Sequence, residues 1–173
     1  RAKYFDLYNL APVGYMTLDT DGRVVDANLT VATLLGLERG RLLGQHVEQL
    51  VVGEDLSVLH SHLDRLLETG AFQICELRMN GKGGAEFWAQ LGANLVRDSV
   101  TGPSLCRVAV TDITALKQTE DVLRHLSTHD ALTGLYSRGF FVEEMERFER
   151  GRSFPVSIVA ADVDDLKLTN DLH

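Results

Sequence analysis

The stretch from residue 71 to residue 113 contains three runs that are rich in β-branched and aromatic residues: AFQICELRMN, AEFWAQLGANLVR and SLCRVAVTDI. The turn sequences NGKGG and RDSVTG separate them. Turns this short join neighbouring antiparallel strands. The stretch therefore predicts an antiparallel meander, and no other feature limits the fold of the chain so closely.

The middle run places five apolar residues on one face of its strand, because side chains alternate between the two faces. They are Phe87, Ala89, Leu91, Ala93 and Leu95. The small alanines suit a ligand cavity, so Ala89, Leu91 and Ala93 are candidate pocket residues, and a tightly packed core is the alternative. Trp88 lies on the opposite face, where it either contacts a partner or is a single ring covered by a helix.

The first 70 residues predict a hairpin followed by helices. Residues 14–28, GYMTLDTDGRVVDAN, alternate around the turn pair Asp21-Gly22. Asn28 occupies the N-cap position of a helix that Gly36 would end. Short helical pieces follow, and residues 54–70 predict a longer helix that ends at Gly70, because their leucines recur at spacings of three and four.

After Thr111 the hydrophobic period changes from that of a strand to that of a helix. Leucine or threonine recurs at residues 116, 119, 123 and 126, which is either the seam of a short coiled coil or the packed face of a surface helix. Residues 138–151 predict an amphipathic helix, and residues 154–162 predict a strand buried on both faces.

Composition excludes several classes of protein. The formal charge of −8 over 173 residues argues against a nucleic-acid binder, which needs clustered basic residues. The two cysteines lack metal-ligand spacing and predict buried reduced thiols. Apolar runs fall short of the roughly 20 residues that cross a bilayer, and no signal peptide is recognisable. We expect a cytoplasmic protein, although an anchor upstream of this segment stays open.

The order of these elements resembles the PAS sensor family over about residues 4–114. The matching segments are APVGYMTLDTDGRVVDAN, Leu35-Gly36, Leu43-Gly44, Glu54-Asp55 and TDITALK. The resemblance implies an α+β fold, in which a five-stranded antiparallel sheet carries helices on one face and encloses a small apolar pocket. It assigns residues 1–112 to the PAS domain and residues 113–128 to a signalling helix.

The family's Asp-x-Thr exit motif corresponds to Asp112 and Thr114. Either side chain can cap the following helix or bond across the joint between strand and helix, so both are expected to transmit a signal. Leu116 and Leu123 would transmit it further along the helix. The resemblance also implies a homodimer formed through the outer sheet face and this helix.

The family's common cofactors are not expected here, and the ligand of the domain is unknown. Haem-binding members place a histidine on the long helix, but His60 and His62 are out of register with that ligand and are interpreted as surface residues. Flavin photoreceptors need a cysteine on the preceding helix, and that region contains none.

The last 45 residues carry a second resemblance. HDALTGLYSR is similar to the opening of GGDEF domains, the diguanylate cyclases, and DVDDLKLTND is similar to their first catalytic segment. Residues 129–173 would then be the N-terminal part of such a domain, an incomplete α/β segment truncated before the family signature. Leu166 replaces a usual phenylalanine and Ser137 a usual asparagine, although serine can still cap the next helix.

The second resemblance implies that the parent protein joins two GTP molecules into cyclic di-GMP with Mg²⁺. Asp162 and the backbone carbonyl of Val163 correspond to metal ligands, and hard oxygen ligands suit magnesium. Lys167 corresponds to the residue that contacts the triphosphate, and Asn170 to the residue that binds the guanine edge.

These observations predict the sensory module of a bacterial signalling protein whose parent synthesises cyclic di-GMP. This segment alone would lack half of the active site and be inactive. Two alternatives remain at this point. One is a stand-alone PAS module that binds a ligand or dimerises, and the other is a parent with a degenerate GGDEF domain that regulates a downstream phosphodiesterase.

Overall fold

The computed structural model describes residues 7–9, 11–97, 104–151, 157–159 and 161. Contacts between Cα atoms divide the chain into two compact units, Arg1–Asp121 and Val122–His173. None of the described helices is long and apolar enough to cross a membrane.

In the described residues of the first unit, five strands form one antiparallel sheet. They are β1 (Gly14–Leu18), β2 (Val24–Ala27), β3 (Gln73–Asn80), β4 (Glu86–Arg97) and β5 (Ser104–Asp112), in the order β2-β1-β5-β4-β3. The predicted hairpin and meander are confirmed. The first and last strands also pair, from Gly14 opposite Val110 to Leu18 opposite Cys106.

Three helices of this unit connect the hairpin to the meander: α1 (Leu29–Leu35), α2 (Arg39–Leu42) and α3 (Leu56–Thr69). Two short 3₁₀ helices, Val47–Leu50 and Gly53–Asp55, precede α3, and a third, Lys82–Gly84, lies in the turn between β3 and β4. The predicted ends are confirmed, because Gly36 and Gly70 adopt φ angles of 65° and 64°.

Asn28 caps α1, as predicted, and its side chain bonds four backbone groups. Its Oδ1 accepts a hydrogen bond from the N–H of Val31 at 3.0 Å. The same amide bonds the backbone of Tyr8, Val13 and Tyr15 at 2.8–3.0 Å. Because the side chain is completely buried, these bonds replace all of its contacts with water.

The hydrophobic core lies between one face of the sheet and the three helices. The fully buried side chains come from both layers and include Met16, Leu42, Leu59, Leu66, Leu77 and Leu91. On β4, Phe87 and Leu95 are partly buried at the two ends of the predicted apolar face, and the three residues between them are fully buried. The alternation along β4 therefore predicted correctly which face of the strand points toward the core.

Helix α4 (Thr114–Thr128) begins in the first unit and ends in the second, and α5 (Arg138–Gly151) follows. Within the second unit, Ser137 accepts a hydrogen bond from the N–H of Phe140 at 3.2 Å, so it caps α5 as expected. Four rings pack in a row where α4 meets α5, with neighbouring centroids 4.0–4.7 Å apart: His125, His129, Tyr136 and Phe140.

The buried strand predicted over residues 154–162 is not found in the part of it that the structure describes. Ser157–Val159 lie outside any strand, and Ile158 and Val159 are 59% and 91% exposed. A strand buried on both faces needs neighbouring strands and covering helices, and the described residues after α5 supply no strand to pair with it.

Candidate functional site

Three hydrogen bonds hold the junction between β5 and α4. Asp112 Oδ1 accepts a bond from the backbone N–H of Thr114 at 2.8 Å. Thr114 Oγ1 accepts one from the backbone N–H of Trp88 at 3.0 Å, and the N–H of Ile113 donates to the carbonyl of Trp88 at 2.8 Å. The first turn of α4 is therefore fixed to two strands at once.

The side chain of Trp88 continues this junction on the outer face of the sheet. Its ring is half-buried, and Lys117 Nζ of α4 lies 5.6 Å from the ring centroid. Lys117 also forms an ion pair with Glu76 of β3 at 2.6 Å. The geometry agrees with the predicted alternative in which a helix covers the ring, and an ammonium over an indole is itself attractive.

Arg78 lies directly opposite Trp88 in the sheet and contacts the same ring, with its guanidinium carbon 5.9 Å from the centroid. The guanidinium also binds Asp55 at 3.0 Å and Glu54 at 2.7 Å, just before α3. The hydrogen bonds from Arg78 lower the pKa of Asp55 below its usual range. The beginning of α3 is thereby fixed to the middle of β3.

These contacts form one continuous path from α3 to α4. It runs from Asp55 through Arg78 and the ring of Trp88 to Lys117. Asp112 and Thr114 were predicted as site residues, and Trp88 was predicted to contact a partner or a covering helix. Arg78 and Lys117 of this path were not predicted. Alternation along β3 could have revealed Arg78, because it shares with Glu76 the face opposite to Leu77 and Met79.

Helix α4 exposes an apolar stripe. Leu116 and Leu123, the residues expected to transmit a signal, are 54% and 61% exposed, and Leu126 continues the same stripe. Positions 116, 119, 123 and 126 are three and four apart and therefore share one face of the helix, on which Thr119 separates Leu116 from the pair Leu123 and Leu126. Nothing in the described residues of the chain covers them.

The candidate pocket residues lie in the centre of the core. Ala89, Leu91 and Ala93 are at most 1% exposed. A small cavity of about 50 Å³ beside α3 is bordered by Leu18, Leu66 and Cys106, and a groove lies along the outside of the same helix. None of the three candidates borders the cavity or the groove. That they surround a ligand stays a prediction.

The two histidines of α3 differ. His60 is exposed and contacts Glu48 at 2.6 Å, as expected for a surface residue. His62 is only 5% exposed, so its interpretation as a surface residue was wrong. The spacing of three and four residues from Leu59 to His62 to Leu66 places His62 on the buried face of the helix. The polar side chain was the reason for assigning it to the surface instead.

Both cysteines are free thiols, as predicted, and Cys106 is buried, but Cys75 is only partly buried. Burial raises the pKa of Cys75 and of Cys106 to about 11, so both are protonated at neutral pH and poorly nucleophilic. The expected ligands of metal and nucleotide, Asp162, Val163, Lys167 and Asn170, lie outside the described residues.

Comparison with known families agrees with this geometry. The family model described as PAS domain matches residues 12–115. The chain therefore belongs to the PAS domain family, and five antiparallel strands with helices on one face are the fold of that family. The crystal structure of a PAS domain from Colwellia psychrerythraea superposes with a TM-score of 0.60 at 21% identity, covering 66% of this chain and 97% of that domain.

Curated relatives are signalling proteins. The chain is 26% identical over 178 residues to the diguanylate cyclase DgcM of Escherichia coli K12, an alignment that covers 99% of the chain and 42% of that protein. It is also 26% identical over 126 residues to the sensor histidine kinase TmoS of Ectopseudomonas mendocina, covering 72% of the chain and 13% of that protein. The chain thus spans less than half the length of these relatives.

Proposed function

We propose that the PAS domain is the sensory part of a bacterial signalling protein that synthesises cyclic di-GMP from two GTP molecules. The observation that carries the proposal is the junction at Trp88, where Ile113 and Thr114 fix the start of α4 to β4. A PAS sheet joined this firmly to an outgoing helix can pass a change of shape onward. The alignment with a diguanylate cyclase continues beyond the PAS domain, which favours a cyclase as the recipient.

The parent protein acts as a homodimer in this proposal, because each GTP must be presented to the other. The exposed leucines of α4 supply an apolar surface on which two copies of the helix can pair. A ligand that favours one arrangement of the sheet would change the pairing of the helices, and with it the distance between the two bound nucleotides.

The residues expected to bind nucleotide and metal keep the roles that their resemblance implies. Asp162 and the carbonyl of Val163 would hold Mg²⁺, which offsets phosphate charge when it is bound. Lys167 would contact the triphosphate, and Asn170 would bind guanine. All four are proposals for the parent protein, of which this chain is a part.

The test uses the protein with a complete cyclase domain. It is incubated with GTP and Mg²⁺, and cyclic di-GMP is measured by mass spectrometry. Product that disappears in Asp162→Ala supports the proposal. GTP binding without product, in a folded dimer and across a panel of candidate ligands, would instead indicate a degenerate domain that only regulates.

Thr114→Val tests the junction itself. The substitution keeps the shape of the side chain but leaves the N–H of Trp88 without its acceptor. We expect a loss of about 1 kcal/mol in the free energy of unfolding, because a partly buried donor loses its partner. We also expect at least a threefold change in the rate of cyclic di-GMP synthesis.

The control is Thr111→Val, because Thr111 is exposed on β5 and its hydroxyl has no hydrogen bond in the described residues. Urea unfolding and the cyclase assay are run on both variants. A rate in Thr114→Val that equals the wild-type rate would contradict the role of the junction.

Leu123→Glu tests the stripe on α4. A carboxylate from each copy would face the other in the paired helices, and we expect dimerisation on the order of tenfold weaker, with a corresponding fall in cyclase activity. Gln118→Glu adds the same charge away from the stripe. Sedimentation velocity measures both variants, and equal dimerisation and activity in the two would refute helix pairing through this face.

A further inference from the structure

A groove of about 330 Å³ lies between α3 and the edge strand β3, outside the core. Its polar lining comes mainly from one face of α3 and the beginning of β3: Ser57, Ser61, His62, Arg65 and Gln73. Val58 and Ile74 add apolar surface. Its volume is in the range of small-molecule sites, and its lining mixes apolar surface with a few polar groups as such sites do.

His62 gives the groove a specific polar requirement. Its side chain is 95% buried, and Nε2 has no hydrogen-bond partner in the described residues. Burial lowers the pKa of His62, so the ring is neutral at pH 7. A neutral imidazole needs one donor and one acceptor to satisfy it, and an unpaired buried ring nitrogen destabilises the fold. Nε2 itself is enclosed by the protein, so a molecule in the groove pairs with the ring through the other nitrogen, Nδ1, at the edge that lines the groove.

Arg65 gives the groove its charge. It is the only residue of the lining with a permanent charge, and no ion pair to it occurs in the part of the chain that the structure describes. Arg65 follows His62 by three positions, so the two side chains are neighbours on the helix surface. A planar guanidinium beside an imidazole matches the two oxygens of a carboxylate.

We propose that this groove binds a small aliphatic carboxylate, whose oxygens pair with Arg65 and His62 and whose alkyl chain contacts Val58 and Ile74. The hydroxyls of Ser57 and Ser61 supply further donors at the rim. A phosphate ester fits less well, because a second cation is missing from the lining and part of the surface is apolar. The site is separate from the core residues Ala89, Leu91 and Ala93, and it does not depend on the cyclase activity proposed above.

The test is a titration of this chain with hexanoate, followed through the imidazole ¹⁵N signals of His62 by NMR. We expect saturable shifts with a Kd of about 1 mM or tighter, as befits a ligand of this size. Hexan-1-ol, which has the same alkyl chain but no acid group, is expected to bind at least tenfold more weakly. No saturable shift at His62, or equal binding of the alcohol, would overturn the proposal.

Arg65→Gln should weaken hexanoate at least tenfold, since it removes the charge but keeps a polar side chain of similar length. Arg65 is exposed, so the variant should fold. Arg41→Gln is the matched control, because Arg41 is exposed on α2 and does not line the groove. Equal affinity in Arg65→Gln and the wild type would show that the carboxylate does not bind there.

Discussion

Replacing Asn28 with leucine is expected to lower the free energy of unfolding by about 3–5 kcal/mol. The amide accepts hydrogen bonds from the N–H groups of Tyr15 and Val31 and donates to the carbonyls of Tyr8 and Val13. Leucine has a similar volume but removes all four of these hydrogen bonds. Each unsatisfied buried group destabilises by about 1–3 kcal/mol, and relaxation recovers part of the sum. Urea unfolding measures the loss.

Asn94→Leu is the control, because Asn94 is exposed on β4 and should change stability by no more than about 0.5 kcal/mol. Asn28→Asp separates the two halves of the amide, since aspartate keeps the acceptor and loses both donors. A midpoint for Asn28→Leu that lies within error of the wild type would mean that water satisfies these backbone groups.

Gly36→Ala is expected to cost about 3 kcal/mol for two separate reasons. Gly36 has a φ of 65°, and an L-residue with a side chain in that region costs roughly 1–2 kcal/mol. A Cβ at this position would also overlap the backbone of Lys82 and lie 2.6 Å from its Cβ. The turn between β3 and β4 must then move away from α1, which breaks contacts of both elements.

Two other glycines separate these causes. Gly70→Ala has the same strain at φ 64° but open space around the new methyl group, so it should lose only about 1–2 kcal/mol. Gly40→Ala has neither problem and lies in α2, where alanine should stabilise by about 0.5–1 kcal/mol. Thermal denaturation should rank the three variants in this order, and equal losses at Gly36 and Gly70 would exclude the clash.

The features that sequence predicted well are those decided by a few neighbouring residues. Asn28 begins a helix, and Gly36 and Gly70 end helices, where predicted, because capping and left-handed φ depend on a single residue and its immediate chain. The meander and the inward face of β4 follow from alternation within a strand. The pairing of β1 with β5 joins residues about 90 positions apart, so local patterns do not specify it and only the family resemblance implied it.

The candidate site was predictable in part for the same reason. Asp112 and Thr114 belong to a short motif, and the hydrogen bond from the N–H of Thr114 to Asp112 is local in sequence. The partner of Thr114 is the backbone of Trp88, whose identity depends on sheet register. The contact of Lys117 with Trp88 depends on the direction in which α4 leaves the sheet. For His62 the local pattern was sufficient but was not followed. Its helical spacing indicated burial, which the structure shows, whereas its polar side chain led to a prediction of exposure.

The pairing of β1 with β5 has a mechanical consequence. Gly14 at the start of β1 lies opposite Val110 near the end of β5, so the chain enters and leaves the domain at the same end of the sheet. Tension applied through the flanking segments would break the hydrogen bonds between β1 and β5 one pair after another, starting at the end where the chain enters and leaves. It would not load all of these hydrogen bonds at the same time. We expect a domain connected in this way to yield to a weaker pull than one whose first and last strands are pulled along their length.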